Sequence, residues 1–197
     1  KWLYRTPKEQ KSAGLDAQIL IEDWDELDEI LEHFPDPDYK GMFPDIPKPD
    51  SRYRLATWWY CFFERLWSLR GMENALTDFY LYPDEVHRLF QKLTDFYMRA
   101  IERSHKEAGA DAVFASDDIG MQTGTFFSEE IFVEFFKPYY KQLIDKAHSL
   151  GMHFWLHTCG NVQLFLPHFA EIGLDVIHPI QKYTMEEKQI AEEFGDK

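Results

Sequence analysis

No stretch of about 18 uncharged apolar residues occurs in the 197-residue sequence, which excludes a membrane-spanning helix. Cysteine is scarce: only Cys61 and Cys159 occur, so a disulfide framework is excluded as the source of stability. A reducing cytoplasm is the expected compartment. Positive charge is also short, with 21 Lys and Arg against 35 Asp and Glu and a net charge of −14. That balance excludes a general nucleic-acid binder, which needs a basic footprint. No glycine-rich phosphate fingerprint is present, and the first residues do not show the basic-plus-apolar pattern of a signal peptide. What the sequence does have is apolar mass. Hydrophobic residues make up 45% and aromatics 17%, enough to bury a core and to exclude wholesale disorder.

The charge divides the chain. Residues 15–50 hold twelve acidic and two basic side chains, a net −10, whereas residues 1–14 carry a net +3. Within residues 1–50, Leu27, Ile30 and Leu31 fall on one helical face among acids. Pro35, Pro37, Pro44, Pro47 and Pro49 then forbid regular helix and predict a surface loop. Residues 1–50 are therefore expected to form an acidic segment that precedes or caps the main domain, with a solvated acidic face.

From residue 51 onward, strand and helix signals alternate. The run from Leu55 to Phe63 favours strand, and its aromatics Trp58, Trp59, Tyr60, Phe62 and Phe63 read as core packing or as a flat pocket wall. Pro83-Asp84-Glu85 opens a long helix with Val86, Leu89, Phe90, Leu93, Tyr97, Ala100 and Ile101 on its buried stripe, and Gly109 ends it. Residues 111–116 form a short apolar strand. Ser128 caps a helix that Pro138 should kink and Gly151 end. Residues 152–156 and 174–177 read as further strands. Asn161 caps a helix over 162–172, and a last helix runs from Thr184 to Phe194. Such alternation demands parallel strands with helical crossovers, an α/β class fold. A doubly wound sheet and a (β/α)8 barrel both satisfy it. The missing phosphate fingerprint favours the barrel, where chemistry collects at the C-terminal strand ends.

The unusual polar residues sit at those ends. His157 and Cys159 lie two apart beyond a strand, so both side chains face one side, and imidazole nitrogen with thiolate sulfur is the preferred donor set of zinc. The same spacing also fits a buried His and a buried free Cys. Asp117 and Asp118 follow an apolar strand. They are read either as two carboxylates facing each other in a dry pocket, where one pKa rises, or as caps of a helix or turn. His178 and Gln181 follow the next strand. Gln181 is a candidate hydrogen-bonding group, and His178 a ligand, a base or a structural histidine. Tyr60, Cys61 and Glu64 are weaker candidates, with Cys61 read as core.

Several blocks, in order, resemble the uroporphyrinogen decarboxylase superfamily. They are Trp24 to Leu27, Leu69-Arg70-Gly71 with Asp78, Gly109-Ala110-Asp111, Asp117 through Gly124, Pro138-Tyr139, His157-Thr158-Cys159-Gly160-Asn161, and Gly173-Leu174-Asp175 through Gln181. The resemblance implies a TIM (β/α)8 barrel. At His157 and Cys159 it is nearer the branch of corrinoid-dependent, coenzyme M methyltransferases. That branch implies zinc at His157 and Cys159, a methylated corrinoid carried by a partner protein as methyl donor, and a small thiol as acceptor. It also implies Asp118 as a catalytic group orienting the zinc ligands or the thiol. Asp117, Gln122 and Gln181 are the substrate-binding residues expected beside it. The branch normally supplies a further Cys ligand downstream, so the third zinc ligand is expected outside this chain. The alternatives are a uroporphyrinogen decarboxylase-like enzyme acting on a tetrapyrrole without metal, and a non-catalytic corrinoid- or tetrapyrrole-binding barrel fragment. The decarboxylase's arginine-rich substrate motif does not occur here. No nucleic acid or membrane is expected as a partner, and barrels of this family commonly pair as homodimers. A closed barrel takes about 250 residues, so residues 51–197 are expected to be a partial barrel, with the chain cut at both ends.

Overall fold

The structure, a computed structural model, describes residues 19–43 and 50–195. The basic residues of 1–14 and the prolines at 44, 47 and 49 lie outside them. Among the described residues, no helix is long and apolar enough to cross a membrane.

A short helix α1 (Leu27–Glu32) precedes strand β1 (Leu55–Trp58). Helices α2 (Phe63–Arg70), α3 (Met72–Leu81) and α4 (Pro83–Ala108) then lead to β2 (Ala112–Ser116). The next crossover is a single helical run. It comprises α5 (Glu129–Ile131), a π-helical turn (Phe132–Phe136) and α6 (Lys137–Ser149), and it ends in β3 (His153–His157). A 3-10 turn (Gln163–Phe165) and α7 (Leu166–Glu171) lead to β4 (Val176–His178), and α8 (Glu187–Phe194) closes the described chain.

The four strands are parallel and lie in the order β1-β2-β3-β4. Among the described residues the order never reverses, so these strands contain no topological switch point of the doubly wound kind. A sheet built by such stepwise crossovers is a partial (β/α) barrel, as expected. Strand alternation sorts its two faces. Val113, Ala115, Phe154 and Leu156 are buried in the main core, while Phe114, Trp155 and His157 are only partly covered. The register places Thr57, Phe114, Trp155 and Val176 in one row across the sheet, with Ser116, His157 and His178 two residues further on.

The long-helix stripe is as read from sequence. Val86, Leu89, Phe90, Leu93, Tyr97 and Ile101 are buried, and Gly109 stops α4 with a left-handed φ of 59°. The kink differs in place. The ladder opens into the π-helical turn one turn before Pro138, because proline has no N–H to donate and its ring crowds the carbonyl four residues back. The turn brings Phe132 and Phe136 inward. Phe132 stacks on Phe165 at 4.3 Å and Phe136 on Phe127 at 4.6 Å, an aromatic layer beneath the strand ends.

The strand expected through Phe63 ends at Trp58, since Phe62 and Phe63 begin α2 in the core at 0% exposure. Trp59 and Tyr60 are not core. They are 60% and 40% exposed at the rim, with Tyr60 at a positive φ of 63°.

The acidic segment is tied in more firmly than a solvated cap. Leu20 and Ile21 donate backbone hydrogen bonds to the Leu69 carbonyl at 2.8 and 2.9 Å. Leu20, Ile21, Trp24, Leu27 and Ile30 join the core, while Asp25, Asp28 and Glu29 stay outside. Arg70 closes this joint. It is 5% exposed, pairs with buried Asp78 at 2.7 Å and donates to the Ile21 and Glu22 carbonyls at 2.8 Å each. A buried guanidinium needs such saturation to offset its desolvation.

Candidate metal centre

Strand parity decides which side chains can meet at the C-terminal ends. His157 and Cys159 are two apart and share a side. Asp117 and Asp118 are adjacent and must face opposite sides. The structure follows this rule. Ligand atoms of Asp118, His157 and Cys159 lie within 4.8 Å of one another. Among the described residues this is the group of three so placed. Cys159 Sγ is 3.5 Å from His157 Nε2, and Asp118 Oδ1 is 3.8 Å from the same nitrogen. Asp118 Oδ1 also accepts the Cys159 backbone N–H at 2.7 Å, which ties the two loops together.

Glycine makes that tie feasible. Gly160 has φ 86°, and a Cβ there would stand 2.4 Å from the Gly120 backbone. The two chain segments therefore touch main chain to main chain, and Asn161 N–H donates to the Met121 carbonyl at 2.7 Å.

Of the two readings of Asp117, pocket carboxylate or cap, its hydrogen bonds favour the cap. It is fully buried and turned toward the helices, away from Asp118. Its carboxylate accepts the backbone N–H groups of Phe62, Phe63 and Glu64 at 2.9, 3.1 and 2.8 Å, and the Tyr140 hydroxyl at 2.6 Å. Phe62 offers no side-chain acceptor of its own at the start of α2, so a carboxylate from the neighbouring strand caps that helix. The substrate-binding role assigned to Asp117 is thus overturned by burial and saturation. Gln122 is exposed and stands outside the triad. Gln181 accepts the Gly160 N–H at 2.6 Å and so braces the cysteine loop. His178 Nδ1 lies 2.9 Å from His157 Nδ1. Cys61 is buried in the core, as read.

Residues 66–197 match the family model for uroporphyrinogen decarboxylase (URO-D), about two-thirds of the chain. The chain belongs to the uroporphyrinogen decarboxylase family. A solved methyltransferase from Methanosarcina mazei has a similar fold, with a TM-score of 0.51 at 19% identity. The likeness covers 87% of this chain and 46% of that one, so this chain spans about half the length of the protein it resembles. No curated protein matches the sequence.

The electrostatics of this family member's site favour binding a cation over acting alone. Burial holds the His157 imidazole below its ordinary value, against the pull of Asp118, so it is neutral at neutral pH and its lone pair is available. Burial and then the Asp118 charge push the Cys159 thiol up, so without a cation it keeps its proton. The donor set fits zinc. Tetrahedral zinc, with Zn–S of about 2.3 Å and Zn–N of about 2.0–2.1 Å, holds sulfur and nitrogen about 3.5–3.6 Å apart. That is the spacing already present between Cys159 and His157. The third ligand was expected outside the chain, yet Asp118 presents an oxygen at the same place.

Beneath the triad sits a carboxyl group that the sequence signalled only weakly. Glu64 is 7% exposed and accepts the Ser116 hydroxyl at 2.8 Å. Burial first, and then the nearby Asp117 charge, push its pKa up to about 7. The like-charge pair is therefore Glu64 with Asp117, not Asp118 with Asp117. Burial pushes Asp117 up to about 6 against the pull of its four donors, so Asp117 ionises first and Glu64 is the member still titrating near neutrality. Between its ordinary value of 4.5 and about 7, folded Glu64 binds more proton than the unfolded chain does. Its contribution to stability therefore falls as pH rises through that window and stays lost above it. Replacing it by Gln in Glu64→Gln removes this loss. The midpoint difference, variant minus parent, should be more positive at about pH 7.5 than at about pH 5. Thermal melts at the two pH values check it, and an unchanged difference contradicts the assignment.

Proposed function

We propose that this protein transfers a methyl group from a methylated corrinoid to a small thiol, using a zinc ion held by His157, Cys159 and Asp118. One observation carries the reading: nitrogen, sulfur and oxygen donors from two different strand ends converge at zinc-compatible spacing. Zinc bound at such a site makes a coordinated thiol a thiolate at neutral pH. His157 offers Nε2 in its neutral form. Cys159 gives up its proton to solvent on binding. Asp118 fixes the cysteine loop through the Cys159 N–H and supplies negative charge that favours the cation. Gln181 holds Gly160 and thereby the same loop. A thiolate so held would take the methyl group in line, and the corrinoid would keep the electron pair of the broken cobalt–carbon bond. Positioning the two reactants is the protein's main contribution. Exposed Trp59, packed edge-on against His157 at the rim, offers flat apolar surface for a large ring.

The family's namesake chemistry is the second reading, favoured by the family match itself. It calls for a carboxylate toward pyrrole N–H groups, and Asp118 is a half-buried carboxylate at the strand ends. It gives no reason for a thiol and an imidazole to converge there. A two-substrate assay separates the readings. Methylcobalamin with 2-mercaptoethanesulfonate should yield the methyl thioether in the presence of zinc, and a chelator should suppress it. Loss of carbon dioxide from a porphyrinogen, with no thioether formed, would replace this reading with the second.

A further inference from the structure

Strand pairing brings a second histidine to the back of His157. The β3–β4 register sets His157 directly against His178, and the pairing continues through the Thr158 N–H donated to the His178 carbonyl at 2.9 Å. The two rings lie 5.1 Å apart at 37°, with Phe114 packed against both at 6.0 and 5.7 Å. Trp59 covers the His157 ring edge-on at 5.8 Å. The rings therefore have a fixed mutual pose, with Nδ1 facing Nδ1 at 2.9 Å.

Two imidazole nitrogens at that distance share one proton: one ring donates and the other accepts. Only one assignment suits a metal. If His178 donates, His157 carries its proton on Nε2, which then points at Cys159 and Asp118 and blocks the centre. If His157 donates from Nδ1, its Nε2 lone pair faces those two groups. His178 then accepts on Nδ1 and keeps its own proton on Nε2, where its exposed edge meets water. We propose that His178 is a positioning residue that selects the Nδ1–H tautomer of His157 and holds its Nε2 lone pair toward the cation. The proposal rests on the zinc reading above for its purpose, but not for its first observable. A metal-ligating histidine almost always donates its other ring N–H to such an acceptor, and loss of the acceptor typically costs about 10–100-fold in metal affinity.

Two readouts on the intact protein test this. In nitrogen-15 imidazole spectra without metal, His157 should show a protonated Nδ1 and a bare Nε2. In His178→Phe, which keeps a ring but removes the acceptor, the Nε2–H form should gain population. In His178→Asn, whose amide oxygen can accept, the wild-type tautomer should persist. Zinc competition with a chromophoric chelator should then show about 10–100-fold weaker binding for His178→Phe and near wild-type binding for His178→Asn. Wild-type tautomer populations in His178→Phe would overturn the positioning role. A correct tautomer shift in a protein that binds no zinc would leave the positioning role standing and remove the zinc reading. Equal zinc affinity in all three proteins would overturn the link between them.

Discussion

Asp117→Ala should unfold much of the protein at physiological temperature. The carboxylate it removes accepts four hydrogen bonds in a fully buried place. Three come from backbone N–H groups at the start of α2, which have no other acceptor in the helix. The fourth comes from Tyr140 in α6. Each buried donor left alone costs about 1–3 kcal/mol. The loss is therefore about 4 kcal/mol or more, a large part of the roughly 5–15 kcal/mol that holds a domain together. For a chain of this length the melting midpoint should fall by about 10 °C or more. Asp117→Asn keeps one acceptor oxygen and should lose less, and Tyr140→Phe, which removes one donor, about 1 kcal/mol. Thermal denaturation of the three variants checks the order. A midpoint within about 2 °C of wild type for Asp117→Ala would show that the carboxylate does not cap the helix.

On the zinc reading proposed above, Cys159→Ala should strongly reduce thiol methylation while leaving the fold intact. Its side chain is only partly buried and makes no core contact of the kind Cys61 makes. The size of the loss can be bounded. A free thiol with pKa near 8.5 is only a few per cent ionised at neutral pH, so deprotonation alone is worth about 30-fold. Losing the fixed position of the attacking sulfur adds to that, and the total should reach about 10³-fold or more. The pH dependence is diagnostic. Wild-type rate should be nearly flat across neutrality, because the proposed cation would keep the thiol ionised. The residual rate of the variant should rise about tenfold per pH unit until the free thiol titrates. Steady-state rates of thioether formation at several pH values give both numbers. An unchanged rate in Cys159→Ala would remove the cysteine from the mechanism.

Much of the architecture was legible because it rests on local rules. Glycine stops, proline starts and 3.6-residue periodicity mark α4, and period-2 spacing puts His157 with Cys159. The same period-2 rule, applied to Asp117 and Asp118, separates them and favours the capping reading of Asp117 over the shared pocket. The capping role of Asp117 depends on residues more than fifty positions away, at Phe62 to Glu64, which no local pattern reveals. Asp118 reaches the triad, and His178 reaches His157, only because β2, β3 and β4 lie side by side in register. Trp59 and Tyr60 look like core by composition. They are exposed because β1 ends at Trp58 and the chain turns outward before α2 begins. The acidic segment looks solvated by charge, but the buried Arg70 and Asp78 pair that anchors it is visible only in three dimensions.

The central claim is that Asp118, His157 and Cys159 hold a cation that binds the thiol substrate. Cobalt(II) substitution tests it most directly, since sulfur ligation gives an intense near-ultraviolet charge-transfer band. The account predicts about one cobalt per chain, a band from Cys159 that is lost in Cys159→Ala, and a further increase when 2-mercaptoethanesulfonate is added. Sub-stoichiometric binding, or a spectrum that the added thiol leaves unchanged, would contradict it.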